Sequence, residues 1–207
     1  MDRVFSAMRK PPEYFKKKLS TPQPWRVKRI LKYAVAAVLA WFIFTRLQTP
    51  SYYTLATLTS EFEPGNLKNE SRGDDIETAL DQLRQKKYDA AIARLTSYSR
   101  SHPQNFQANY FLGLAYLGAG EENRLGWRSF STHHTEEAIR YLETAEKLAG
   151  DNQFYREDCL WLLGKAWLRL KEVEKAKQTW RAIVALPAPD LIHKEEARRL
   201  LTELVRK

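Results

Sequence analysis

Beyond Pro50, hydrophobic residues recur at helical spacing, and short polar stretches separate one amphipathic run from the next. The pattern predicts a short helix over residues 52–62 and then three pairs of helices joined by brief turns. The predicted pairs are 75–86 with 89–101, 105–119 with 136–149, and 157–170 with 173–185. The hydrophobic pattern therefore predicts an all-α protein.

One more helix is predicted at the carboxyl end. Pro187 and Pro189 end the sixth helix of the pairs, and Asp190 is predicted to cap a final helix that runs to Val205. That helix has an apolar stripe on one side and charged residues elsewhere, as a capping helix requires when it covers the end of a stack.

The small residues of these helices follow a period. Gly113 lies 34 residues after Ala79, and the run Leu-Gly-x-Ala-Tyr that contains Gly113 returns as Leu-Gly-x-Ala-Trp around Gly164. The second helices of the pairs carry alanines at matching positions, such as Ala138 and Ala176. Small side chains at these positions allow the paired helices to approach closely.

These motifs resemble the tetratricopeptide repeat, a 34-residue helix–turn–helix unit. The resemblance covers residues 74–207 and implies a solenoid of helical hairpins, with about three repeats and a capping helix. The spacing from Ala91 to Ala138 is 47 residues instead of 34, so the second repeat is predicted to contain an inserted loop, residues 121–135.

The amino-terminal part of the chain is of a different kind. Residues 33–45 carry no charge and are apolar on every face of a helix, although thirteen residues rise only about 20 Å. Three interpretations compete: a membrane anchor, the core of a signal peptide, or a buried core helix. We favour an anchor over residues 30–47 with flanking and interfacial contacts to lipid, made by Lys32, Tyr33, Trp41, Phe42, Phe44 and Arg46.

The positive charge is concentrated in the same part of the chain. Residues 1–32 contain ten Lys and Arg against two acidic residues, whereas the remainder is almost neutral. The positive-inside rule then predicts a cytoplasmic, proline-rich arm over residues 1–29, with residues 48–207 on the other side of the membrane. The arm is predicted to attract anionic lipid, and a contact with a cytoplasmic protein is the alternative. The arm lacks the interleaved aromatic and basic residues of a nucleic-acid interface, so no nucleic-acid partner is predicted.

The order of basic arm, single span, linker (residues 48–73) and repeats is similar to that of bacterial membrane-anchored repeat proteins. This resemblance implies the inner membrane, with the repeats on the periplasmic side. Some such proteins accompany sigma and anti-sigma factors, so a transmembrane signalling regulator is the alternative interpretation. The His and paired Cys of the zinc-binding anti-sigma motif are missing before residue 33, which weighs against that alternative.

The sequence offers no recognisable catalytic constellation. Known nucleophile, phosphate-loop and zinc-protease motifs are absent from it. Cys159 is predicted to be a buried structural thiol, His133 and His134 to be part of a polar loop, and Thr135 to cap the following helix. We therefore predict a protein that is not an enzyme and takes no cofactor, metal or small-molecule substrate.

Two surfaces are candidates for binding a protein partner. The tetratricopeptide resemblance implies a groove lined by the first helix of each pair, and the positions that correspond to it are Gln107, Tyr110, Leu114, Trp161, Lys165 and Arg169. Such a groove suits a peptide with an acidic or C-terminal group, although the same residues are also candidates for the core between repeats. The inserted loop carries Trp127, Arg128 and Phe130, which fold back on the repeats, anchor a partner or contact the membrane.

Together these features predict a membrane-anchored repeat scaffold. It binds a protein partner on the extracytoplasmic side and supports the assembly or stability of a membrane complex.

Overall fold

A computed structural model of the chain describes residues 32–41, 55–58, 74–124 and 127–205. The side chains of residues 123, 124, 127, 128 and 205 lie outside this description. The chain divides into two compact units, residues 1–49 and residues 50–207.

In the first unit the described residues form one helix, α1, over residues 32–41. Its ten residues rise about 15 Å. No helix among the described residues combines the length and the apolar character that a membrane crossing needs. Of the predicted lipid-contacting residues, Lys32, Tyr33 and Trp41 lie in α1, whereas Phe42, Phe44 and Arg46 lie outside the described residues.

The second unit is built from seven helices and one hairpin of strands among its described residues. In chain order they are α2 (Asp74–Arg84), α3 (Tyr88–Ser101), α4 (Phe106–Ala119), β1 (Glu121–Arg124), β2 (Trp127–Phe130), α5 (Thr132–Leu148), α6 (Gln153–Arg169), α7 (Val173–Ala185) and α8 (Lys194–Val205). Each helix packs on the next one in the chain. The first helices of successive pairs also meet, α2 with α4 and α4 with α6. The all-α prediction is thus confirmed for the described residues, apart from the hairpin.

Local sequence signals explain where the helices begin and turn. The side-chain oxygens of Asn105 and Asn152 accept hydrogen bonds from the backbone N–H three residues later, which caps α4 and α6. Lys86 and Lys171 have φ angles of 58° and 65° in the tight turns within the first and third pairs. This left-handed conformation reverses the chain in a few residues.

Close approach of the helices depends on two glycines. A Cβ atom at Gly113 would lie 2.5 Å from Cγ of Leu142, and one at Gly164 would overlap the indole of Trp180. In the second and third pairs the first helix therefore receives a large side chain of the second helix in a space that only glycine leaves open. These close crossings explain the small residue at this position of the repeat.

Two hydrophobic clusters form the core. The first joins α2 to α6 around Phe111, and the second joins α6 to α8 around Trp180. Ala56 belongs to the second cluster, and Leu58 packs against the first. A short segment from before the repeats is therefore part of the packing of both.

The predicted loop 121–135 is wrong in its extent and its conformation. β1 and β2 pair antiparallel, with Glu121 opposite Phe130, and α5 begins at Thr132. Ser131, not Thr135, caps α5, because its side chain accepts from the N–H of His134. Thr135 is buried inside the helix, and its hydroxyl donates to the carbonyl of Ser131 at 2.7 Å.

Two other predicted helix features also need correction. The predicted helix over residues 52–62 is wrong at residues 56–58, which are not helical; the rest of it, apart from Leu55, lies outside the described residues. The final helix begins at Lys194. The N–H groups that precede it are capped by Glu157 of α6 and not by Asp190. The Glu157 carboxylate accepts the N–H groups of Ile192 at 3.1 Å and His193 at 2.6 Å.

We predict that Gly113→Ala destabilises the repeats through its clash with Leu142. An alanine inside a helix is ordinarily more stabilising than glycine, but overpacking of this kind costs about 1–3 kcal/mol. Urea unfolding of the single variants and of Gly113→Ala combined with Leu142→Ala measures the coupling. The cost of Gly113→Ala should shrink once Leu142 is truncated; equal costs in both backgrounds would show that the crossing is not tight.

A second prediction concerns the buried carboxyl of Glu157, whose pKa is raised by its burial despite two backbone hydrogen bonds. Because the folded-state pKa lies above the unfolded value, the folded chain retains this proton to higher pH. The stability of the parent chain relative to Glu157→Gln should therefore fall as the pH rises from about 4 to about 7. Unfolding by urea at several pH values tests this, and a relative stability that rises with pH would contradict it.

Candidate peptide-binding groove

Lys165 and Arg169 lie one turn apart on the same side of α6, and both are at least nine-tenths buried. The two cations lie on a helix that is otherwise rich in leucine and tryptophan. Because they are buried, their charges and their N–H donors require partners. The partners come from three separate parts of the chain. These are residues 55–58, the end of α4 and the start of β1. We call residues 55–58 the docked segment.

The guanidinium of Arg169 joins all three parts. Its Nε donates to the carbonyl oxygen of Ala56 at 2.9 Å, and one terminal nitrogen donates to the carbonyl of Leu117 at 2.5 Å. The other terminal nitrogen pairs with the carboxylate of Glu121 at 2.9 Å. The planar, forked guanidinium is the side chain that can serve acceptors in several directions at once.

Lys165 extends the same arrangement by one residue of the docked segment. Its Nζ donates to the carbonyl oxygen of Thr57 at 3.1 Å and lies 5.0 Å from the centre of the Trp161 ring. The N–H of Leu58 in turn donates to the carboxylate of Glu121 at 3.2 Å. Main-chain groups of three successive residues are therefore held by side chains of α6 and β1.

The side chains of the docked segment are also enclosed. Ala56 is fully buried and Thr57 is 4% exposed. The carbonyl groups of Ala56 and Thr57 point to Arg169 and Lys165, so they are not available to a helix. This explains why the predicted helix does not form here.

Electrostatics favours a charged Arg169 in spite of its burial. Burial lowers the pKa of Arg169 from its usual value to about 10, and the nearby Glu121 opposes this shift. The side chain remains protonated at neutral pH, so Glu121 faces a full positive charge. Because Arg169 lies in a low-dielectric environment, this ion pair differs from the exposed pairs along the helix surfaces.

The structure buries all six residues predicted for the groove. Those on α4 are Gln107, Tyr110 and Leu114, and those on α6 are Trp161, Lys165 and Arg169. Among the described residues, the buried Nε2 of Gln107 has no hydrogen-bond acceptor. Sequence reasoning did not find the docked segment or Glu121. The signal for them was the presence of two cations on an apolar helix, which demands an acidic partner.

The predicted loop residues separate into two groups. Phe130 is half-buried at the base of the hairpin, with its ring centre 4.5 Å from the guanidinium carbon of Arg169. The backbones of Trp127 and Arg128 lie in β2, and their side chains are outside the described part of the structure. The base of the hairpin therefore folds back on the repeats, while partner binding by its tip stays a prediction.

Among the described residues we looked for metal-binding groups and for a reactive nucleophile. No group of three or more His, Cys, Asp or Glu side chains is arranged there to hold a metal ion. Cys159 is buried, and desolvation raises the pKa of its thiol well above the usual value. A thiol of this kind is a poor nucleophile.

Comparison with known proteins finds a family match that begins in α2 and ends in β1. A family model described as tetratricopeptide repeat matches residues 76–122, which run from α2 into β1. The match supports a tetratricopeptide repeat protein. A search of curated proteins finds no match to the chain. The repeats, which generally serve as non-enzymatic protein-interaction modules, point to a protein-interaction scaffold.

We predict that Glu121→Ala lowers the free energy of unfolding by about 2 kcal/mol, because it leaves the buried Arg169 without its counter-ion and Leu58 without its acceptor. Glu143→Ala, the same change at an exposed position of α5, should alter stability by less than about 0.5 kcal/mol. Urea unfolding of both variants measures the difference. Equal effects of the two variants would show that the Glu121–Arg169 pair does not stabilise the fold.

Proposed function

We propose that the chain is a non-enzymatic, membrane-anchored tetratricopeptide scaffold of the bacterial inner membrane. Residues 1–29 form its cytoplasmic arm, residues 30–47 its anchor, and the repeats bind a protein partner on the periplasmic side. Through that partner the scaffold supports the assembly or stability of a membrane complex.

The observation that carries the proposal is the way in which the repeats hold the backbone of residues 56 and 57. The repeats present buried Lys165 and Arg169 to main-chain carbonyls, and these residues hold a short non-helical stretch of polypeptide. A surface that binds one segment of chain by its main-chain groups has the chemistry needed to bind a protein partner.

The anchor has two supports. The sequence provides ten basic residues before an uncharged apolar stretch, as a cytoplasm-facing arm requires. In addition, α1 exposes five large apolar side chains, each more than half exposed, namely Tyr33, Val35, Val38, Leu39 and Trp41. An exposed apolar surface of this kind is typical of a contact with lipid or with another protein.

Cross-linking in native membranes tests the scaffold. The full chain with a carboxyl-terminal tag should pellet with membranes, and a membrane-impermeant cross-linker added from the periplasmic side should join it to a partner. Leu39→Arg places a charge in the apolar stretch at a cost of about 2.5–3.5 kcal/mol, so it should reduce the membrane-bound fraction and the cross-linked product.

Leu67→Arg, the same change outside the apolar stretch, is the matched control and should leave both quantities unaltered. A chain that stays soluble, or one that is cross-linked only from the cytoplasmic side, would contradict the proposal.

A further inference from the structure

Lys165 and Arg169 of α6 bind main-chain groups, which every polypeptide has. Both Lys165 and Arg169 donate to main-chain carbonyl oxygens of the docked segment, and Glu121 accepts a main-chain N–H from it. Recognition of this kind does not depend on a particular side chain. It selects instead by the space around the bound backbone.

We propose that the groove is an exchangeable peptide site, in which residues 55–58 are the resident occupant and a segment of the protein partner with a similar turn-like backbone replaces them. This inference rests on the proposed function, because it names the partner's chemistry and the way in which the chain limits access to the site.

The resident segment defines what a replacement must look like. Ala56 is fully buried, so the partner needs a small residue at the matching position. Leu55 and Leu58 pack against the second and the first hydrophobic cluster respectively, so apolar residues flank that position. The charge of Arg169 is already met by Glu121 within the chain. The partner segment is therefore apolar and uncharged, instead of acidic as the sequence suggested.

The way in which the segment is held favours exchange. Residues 56–58 belong to no helix or strand, and side chains of α6 and β1 hold the carbonyls of Ala56 and Thr57 and the N–H of Leu58. Segments outside helices and strands open more readily than helices in the core. A tethered occupant has an effective concentration on the order of 1 mM, so it suppresses binding from outside without abolishing it.

A labelled peptide with the sequence of residues 52–60 is the probe. We compare its affinity for the full-length parent in detergent with that for Ala56→Glu, which places a charged side chain where no space exists and so expels the resident. If the peptide binds an empty groove with a Kd of about 100 µM, the resident weakens binding by about tenfold. Ala56→Glu should therefore bind the peptide about ten times more tightly than the parent.

Three controls identify the site. Ala93→Glu makes the same change on the exposed surface of α3 and should bind like the parent. Adding Lys165→Met to Ala56→Glu should reverse the gain, since it removes the donor to the Thr57 carbonyl while keeping the bulk of the side chain. A peptide with glutamate in place of its central alanine should not bind. Equal affinity of Ala56→Glu and the parent would overturn the proposal.

Hydrogen exchange provides a measurement that needs no variant. In the parent chain the amide of Leu58 should exchange at least about a hundredfold faster than the core amides of α4 and α6, and excess peptide should speed it further. An exchange rate at Leu58 as slow as that of the core would make the docked segment a permanent part of the fold and overturn the proposal, even if Ala56→Glu fails to fold.

Failure of this inference differs from failure of the proposed function. If the parent and Ala56→Glu are cross-linked to a membrane partner equally well and neither binds the peptide, the scaffold stands and the partner uses another surface. If neither form is cross-linked to any partner while the peptide binds as expected, the exchangeable site stands and the scaffold function falls.

Discussion

Burial of the Arg169 guanidinium is the constraint on which the arrangement around the groove depends. Its donors require acceptors, and they obtain them from Ala56, Leu117 and Glu121, which belong to the docked segment, α4 and β1. Without these acceptors a charged group would lie unpaired in an apolar environment, at a cost of several kcal/mol. One side chain thereby fixes where the segment before the repeats meets the hairpin inserted within them.

The hairpin has a structural role that follows from this constraint. In the first and third repeats a tight turn at Lys86 or Lys171 joins the two helices, but in the second repeat the longer connection delivers Glu121 to Arg169 and Phe130 to its face. The insertion thus provides the counter-ion that makes a buried arginine tolerable. The docked segment in turn gives both hydrophobic clusters a further apolar contact.

The helices were predictable from local signals, and the particular residues show why. Asn105 and Asn152 cap helices through hydrogen bonds to N–H groups three residues later. The glycines at 113 and 164 lie where the two helices of a pair cross closely. The errors fall where the partner is distant in sequence. Thr135 has the right chemistry for a cap, but Ser131 caps the helix one turn earlier. Its position is fixed by the hydrogen bond from its N–H to the carbonyl of Gly120, which closes the hairpin.

The sequence by itself determined the helix pairs, their tetratricopeptide-like period, the basic arm and the apolar stretch, because each depends on residues that are neighbours or lie one repeat apart. The tertiary structure alone decided that residues 55–58 lie against α6 and β1 and that Glu121 is the counter-ion of Arg169. The contacts between Arg169 and these residues span 113 and 48 positions. No local pattern encodes such distances, since a buried cation specifies that it needs acceptors but not which part of the chain supplies them.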